Sequence, residues 1–195
     1  NEPGLALRAA EEARTSYSKL GDKAGKAVAS QLVAEAQFAL VPFGQGNPRE
    51  AVRAAQDAAM LFEDVADRAS QAVALHVLAN AFLMSRAGTD AQKMARQAEQ
   101  LFQSLGDTRG QAGALLLVSG GYLSAGEYAE ARDAAKDARD LFRQVGDGAG
   151  EDSVEDFLDS LKQYESGQLN RADFVGFSMR GPEAAEGQQV RRRPK

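Results

Sequence analysis

The sequence contains no cysteine and no tryptophan, and its single histidine is His76. Without cysteine, neither disulfide bonds nor thiolate metal sites can form. A catalytic centre needs several reactive groups that converge, and a lone histidine without an obvious partner is more typical of an ordinary polar contact. We therefore expect a protein that is not an enzyme and that holds no metal and no cofactor.

Long apolar runs are also missing, since stretches such as 114–118 are far shorter than the roughly 20 residues that cross a bilayer. We expect no transmembrane segment, although contact with a membrane complex stays open. The net charge of −5 is uneven, because residues 168–195 carry about +3 and the preceding residues about −8. A negative body does not favour nucleic acid as a partner.

Residues 168–195 form a basic tail whose composition should not fold alone. A basic end of this kind is usually solvated or binds an oppositely charged surface. We expect the tail to be extended and to dock, either on the acidic body of its own chain or, in the reading we favour, along a protein partner. Two apolar anchors and an arginine run would make the contacts: Phe174, Phe177, Arg191, Arg192 and Arg193.

One short phrase occurs four times in the chain. An apolar residue, a small residue and an aspartate recur at intervals of 45, 40 and 40 residues. A fixed period of this length is typical of stacked helical units that lean on their neighbours, so the sequence predicts an all-α solenoid. The four copies are Leu20-Gly21-Asp22, Val65-Ala66-Asp67, Leu105-Gly106-Asp107 and Val145-Gly146-Asp147.

Each copy of the phrase marks a junction between units. The glycine can take the left-handed conformation that ends a helix, and the aspartate can cap the next helix. Ala66 replaces the glycine once, which predicts a strained or differently built turn. About eight helices are expected in one domain over residues 1–167: a half unit (5–21), three helix pairs (22–66, 67–106 and 107–146) and a capping helix (147–166).

The first full unit is irregular, because its five extra residues form a loop insertion at positions 42–46. After this loop, Asn47, Pro48 and Glu50 predict an N-cap, a first-turn proline and a capping-box glutamate. In the second full unit, Thr89 or Asp90 is expected to open the second helix.

The helix pairs resemble tetratricopeptide repeats, in a form lengthened to about 40 residues. The resemblance covers roughly residues 5–166 and departs from the family in lacking the usual proline near the end of each unit. It implies a right-handed superhelix whose concave wall is lined by the first helix of each pair. The family has a bulky, a Leu-like, a small and an aromatic residue in the first helix and recurring alanines in the second. In unit 107–146 these positions are occupied by Leu115, Val118, Ser119, Tyr122, Ala131, Ala135 and Ala138.

Carried over position by position, the resemblance implies a partner-binding groove with an apolar middle, which suits an extended segment or a helix. Co-chaperones of this family clamp a C-terminal carboxylate with Lys, Asn and Arg, but the matching positions Gln31, Glu35, Gly113 and Leu117 hold no cation, so no such clamp is expected. The implied groove residues are Gln31, Glu35, Phe38, Val73, His76, Asn80, Leu83, Met84, Leu116 and Leu123.

The glycines Gly110, Gly113, Gly120 and Gly121 fall inside a predicted helix. A phosphate-binding loop needs a preceding strand and a lysine, so we interpret these glycines as sites where a neighbouring helix comes close.

Together these features favour a non-catalytic scaffold for protein–protein interaction, acting as a subunit or assembly factor of a larger complex. The start at Asn1 without methionine fits an imported and processed protein, which points to a chloroplast or mitochondrial complex of photosynthesis or respiration. The alternative is the ligand- or peptide-sensing helical part of a longer regulatory protein. We expect the protein to be soluble or peripheral to a membrane, and the sequence does not identify its compartment.

Overall fold

The computed structural model describes residues 2–167, so the expected contacts of the basic tail (Phe174, Phe177, Arg191, Arg192 and Arg193) lie outside the described residues. Within 2–167 the chain forms eight α-helices and no β-strand, and each helix packs against the next. The expected all-α solenoid of about eight helices is confirmed. The helices are α1 (Glu2–Leu20), α2 (Lys23–Leu40), α3 (Pro48–Asp64), α4 (Arg68–Met84), α5 (Gly88–Leu105), α6 (Thr108–Ala125), α7 (Tyr128–Gln144) and α8 (Gly148–Glu165).

The repeated aspartates cap the first helix of each of the three pairs and also α8, as expected. Each carboxylate accepts a hydrogen bond from the backbone N–H three residues later, at 2.8 to 3.1 Å. A cap of this kind is worth about 1 kcal/mol because it satisfies a donor that the helix itself leaves unpaired. The capping residues are Asp22, Asp67, Asp107 and Asp147.

The residue before each aspartate ends the preceding helix in the left-handed conformation. Gly106 and Gly146 have φ angles of 72° and 67°. Ala66 has a φ angle of 58° and keeps the same turn. The turn at Ala66 is therefore the strained one of the two expected alternatives, since a Cβ in this conformation costs about 1–2 kcal/mol.

At three of the four junctions, a glycine stands three residues after the capping aspartate and leaves room for an aromatic ring. A Cβ at this glycine would overlap the aromatic ring near the end of the preceding helix; the pairs are Gly25–Tyr17, Gly110–Phe102 and Gly150–Phe142. The second junction has Ser70 instead, and its hydrogen bonds lower the pKa of Asp67. The aspartate therefore caps the following helix, while the glycine allows the aromatic ring of the preceding helix to pack against it.

The core is rich in alanine and contains a phenylalanine at the same position of each full unit. Small side chains let neighbouring helices approach closely, and each buried ring fills the space that remains. Phe62, Phe102 and Phe142 hold equivalent positions and are all buried. The second helices contribute alanines with no exposed area: Ala51, Ala55, Ala58, Ala91, Ala95, Ala98, Ala131, Ala135 and Ala138.

The insertion after α2 forms a single 3-10 turn, Val41–Phe43, followed by Gly44 with a φ angle of 68°. Asn47 caps α3 by accepting from the backbone N–H of Arg49 and Glu50. The capping-box expectation is wrong, because the backbone N–H of Asn47 donates to the buried side chain of Gln37 at 2.8 Å. Glu50 is instead paired with Arg14 of α1.

The start of α5 also differs from expectation. The helix begins at Gly88, and its N-cap residue Ala87 makes no side-chain cap, whereas Thr89 or Asp90 was expected to open it. A Cβ at Gly88 would overlap Ser124 of α6 and would lie 3.2 Å from the carbonyl oxygen of Gly121. The start of α5 is therefore determined by close packing of Gly88 against α6, and no polar side chain caps it.

Candidate interaction surfaces

The first helices α2, α4 and α6 contact one another in order, and we call their exposed side the first-helix face. Three large apolar side chains are exposed there: Val28 by 50%, Leu32 by 47% and Val73 by 39%. Val28 and Val73 occupy equivalent positions of successive units, and Leu32 lies one helical turn beyond Val28. They lie on the same side of the neighbouring helices α2 and α4, and we call these three side chains the apolar patch.

Polar groups border this apolar patch. The side-chain amide of Gln31 donates to Glu35 at 2.9 Å along the same side of α2. On α4, the side-chain oxygen of Asn80 is buried and accepts no hydrogen bond from the described residues. A buried acceptor without a donor costs about 1–3 kcal/mol, and this oxygen lies below the surface that a partner would contact.

Other residues of the implied groove contribute to the core. Leu83 is 5% exposed and belongs to a cluster with Ala79, Ala91 and Val118, so it does not reach the surface. Phe38 is partly buried against α3 and α4 residues of a neighbouring cluster. Leu116 and Leu123 are partly buried against the cluster that contains Phe142 and Phe157 of α7 and α8. Met84, at the end of α4, is also partly buried.

His76 sits between α5 and α6. Its ring meets that of Phe102 edge-on, with centroids 6.5 Å apart, and a Cβ added to Gly113 would lie 3.3 Å from its Cε1 atom. Burial lowers the pKa of His76 to about 4. His76 is thus uncharged at neutral pH, and the contact described here is with an aromatic ring, whereas an ordinary polar contact was expected.

The glycines of α6 lie where neighbouring helices come close. A Cβ at Gly121 would lie 2.8 Å from the Cβ of Gln92 on α5, and Gly113 lies beneath the His76 ring. Gly120 is buried as well. This agrees with their interpretation as close-packing sites.

A second surface lies on the other side of α4. A groove of about 740 Å³ runs between α3 and α5 with α4 as its floor, and we call it the α3–α5 groove. Gln71, Leu75 and Leu78 of α4 line it. Since a helix turns about 100° per residue, these residues lie on the opposite side of α4 from Val73 and Asn80. The resemblance pointed to the first-helix face and gave no signal for this groove.

Between residues 2 and 167, no group of three or more histidine, aspartate or glutamate side chains is placed to hold a metal ion. No helix in that range combines the length and apolar character needed to cross a bilayer. A scan against models of known protein families finds no match, and neither does a search of curated proteins. The resemblance to tetratricopeptide repeats therefore stays a prediction from the residues themselves.

Proposed function

We propose that this protein is a non-catalytic scaffold that holds another protein on its first-helix face. The observation that carries the proposal is the apolar patch of Val28, Leu32 and Val73, which stays exposed although the surrounding helices bury most of their apolar side chains. Exposed apolar patches bordered by polar groups are typical of protein-binding surfaces.

The chemistry of this face indicates the kind of partner. Val28, Leu32 and Val73 favour apolar side chains of a helix or an extended segment. Membership of a larger complex, with the basic tail as a further contact, is part of the same proposal, and the organellar setting stays a prediction.

The test is a charged double substitution, Val28→Glu with Val73→Glu. Both side chains are largely exposed, so the helices should keep their packing, whereas a charge at Leu83 would disrupt the core. Leu105→Glu with Val145→Glu is the matched control, since these residues are 45% and 42% exposed at unit junctions. The tagged full-length chain is used to capture partners from its native source, and the bound amounts are compared.

We expect the wild type and the control to retain a stoichiometric partner, and the first-helix variant to lose at least 90% of it. Equal retention by both variants would place the interface elsewhere on the molecule. Loss by both would show that added negative charge weakens binding without regard to place, and would also contradict the proposal.

A further inference from the structure

Four equivalent positions on α1, α3, α5 and α7 show how the spaces between units are filled. They lie three residues before the aromatic residue near the end of each helix, and they hold Arg14, Ala59, Glu99 and Arg139. Three of these side chains reach towards the following helix or helix pair. Only the alanine at position 59 has no side chain long enough to do so.

The charged members of this set are paired. Arg14 meets Glu50 of α3 at 3.4 Å, and Arg139 meets Glu155 of α8 at 2.9 Å. Glu99 pairs with Arg96 at 3.1 Å and accepts from the side-chain amide of Gln111 on α6 at 3.5 Å.

Ala59 and Gln56 replace the Glu99 and Arg96 of the next unit, and the α3–α5 groove opens at this place. Ala59 is 6% exposed and lies in the wall of the groove. A glutamate there would extend into the space, as Glu99 does one unit later. The short side chain of Ala59 thus leaves open a position where the next unit has Glu99, paired with Arg96 and Gln111.

The groove has an apolar floor and a polar rim that is uncharged away from the α3–α4 turn. Leu75, Leu78, Met94 and Leu101 form the apolar part, together with Met60, which is 50% exposed. Four carboxamides and one hydroxyl stand above it: Gln56, Gln71, Gln97, Gln100 and Ser104. The charged lining residues are Glu63 and Arg68, close to the α3–α4 turn.

A carboxamide both donates and accepts hydrogen bonds, which matches the alternating N–H and C=O groups of an extended peptide. Gln97, Gln100 and Ser104 recur at helical spacing along one side of α5 and span about 10 Å. This length corresponds to about three extended residues. Away from Glu63 and Arg68, a charged group of a ligand would be desolvated above the apolar floor without a counter-charge. This part of the groove therefore favours an uncharged segment.

We propose that the α3–α5 groove binds an extended, uncharged peptide segment with apolar side chains, supplied by another protein. The apolar side chains lie on Leu75 and Leu78, and the peptide backbone pairs with the glutamine rim. The inference rests on the scaffold function only in taking a protein as the partner, and its site is separate from the first-helix face.

The experiment selects peptides from a phage-displayed random library on the immobilised full-length chain and measures the affinity of the enriched peptides by fluorescence anisotropy. The groove is filled by Gln56→Arg with Ala59→Glu, which copies the Arg96–Glu99 pair. Met60→Lys is a second variant, chosen because its exposed side chain can change without disturbing the core. Ala129→Glu with Gln144→Arg makes the same change of charge at exposed positions of α7.

We expect the enriched peptides to carry an uncharged apolar stretch, and their affinity to fall at least tenfold in both groove variants. The α7 control and the Val28→Glu/Val73→Glu variant should bind them as the wild type does, which separates this site from the first-helix face. The inference is overturned if both groove variants bind as tightly as the wild type, if charged sequences are enriched, or if repeated selection enriches no peptide. Self-association of the chain that disappears in the groove variants would assign the groove to a second copy and would also overturn it.

Discussion

Gln31, His76 and Leu116 occupy equivalent positions on the first helices of successive units, yet each makes a different contact. Gln31 donates to Glu35, His76 packs its ring on Phe102, and Leu116 packs against an apolar cluster. The repeat thus determines where a side chain lies, and the neighbouring residues determine its chemistry. For His76 the neighbours are apolar, and its pKa is lowered for this reason.

The lowered pKa of His76 predicts a pH-dependent stability. The folded state titrates near 4 and the unfolded state near 6.5, so between these values the unfolded chain binds more protons. The free energy of unfolding should fall as the pH drops below about 6.5, by at most about 2 kcal/mol at pH 5. His76→Gln, which copies Gln31, should remove this part of the pH dependence in urea unfolding at pH 7 and pH 5. If the stability of the wild type and of His76→Gln depended on pH in the same way, the lowered pKa of His76 would be contradicted.

At the scale of the element, α6 is a helix with low intrinsic helix propensity. Each of its interior glycines costs about 1 kcal/mol relative to alanine, yet α6 runs unbroken from Thr108 to Ala125. Tertiary contacts offset this cost, because Gly113 and Gly121 lie where side chains of α4 and α5 come close. The helix is therefore specified by its neighbours more than by its own sequence.

Two glycine-to-alanine substitutions separate packing from propensity. Gly110→Ala should lower the free energy of unfolding by about 1–3 kcal/mol, since its Cβ would overlap the Phe102 ring. Gly148→Ala is the matched control at the start of α8, where an added Cβ meets nothing within 4 Å. It should be neutral or stabilise by up to about 1 kcal/mol. Denaturant unfolding measures both, and a stabilising Gly110→Ala would show that the ring moves aside freely.

At the scale of the whole molecule, the described helices form a linear array in which each packs mainly on its neighbours in the chain. Stability in such an array is a sum of local terms, so one end can open while the rest stays folded. The last of the described helices, α8, is held by Val154, Phe157 and Leu161, which are almost completely buried.

Phe157→Ala should therefore unfold one end of the array selectively. The lost burial and the remaining cavity cost about 3–5 kcal/mol. Amide hydrogen exchange should lose protection in α7 and α8, whereas α2 to α5 should keep it. Phe43→Ala is the control, since this ring is 57% exposed and should leave protection unchanged throughout. A uniform loss of protection after Phe157→Ala would show that the chain unfolds as a single cooperative unit.

The helical architecture could be predicted because it depends on local and periodic signals. A left-handed glycine and a capping aspartate act within one turn of chain, so Gly106 and Asp107 reveal a junction without knowledge of the fold. The recurrence of this junction then predicts the stacking. Even the irregular Ala66 was identified as an exception, because the other junctions show what it replaces.

Contacts between distant residues could not be predicted in this way. The pairing of Glu50 with Arg14 replaces a local capping box, and the burial of Leu83 removes it from the expected groove. Each outcome depends on which residues of other helices are nearby.

By itself, the sequence determined the helices, their junctions and their linear order, since hydrogen bonds and backbone conformation within a few residues decide these features. Only the tertiary structure decided which side chains remain exposed and where space is left between units. The α3–α5 groove shows the reason: Ala59 is unremarkable among many alanines, and its short side chain matters only because α3, α4 and α5 meet around it.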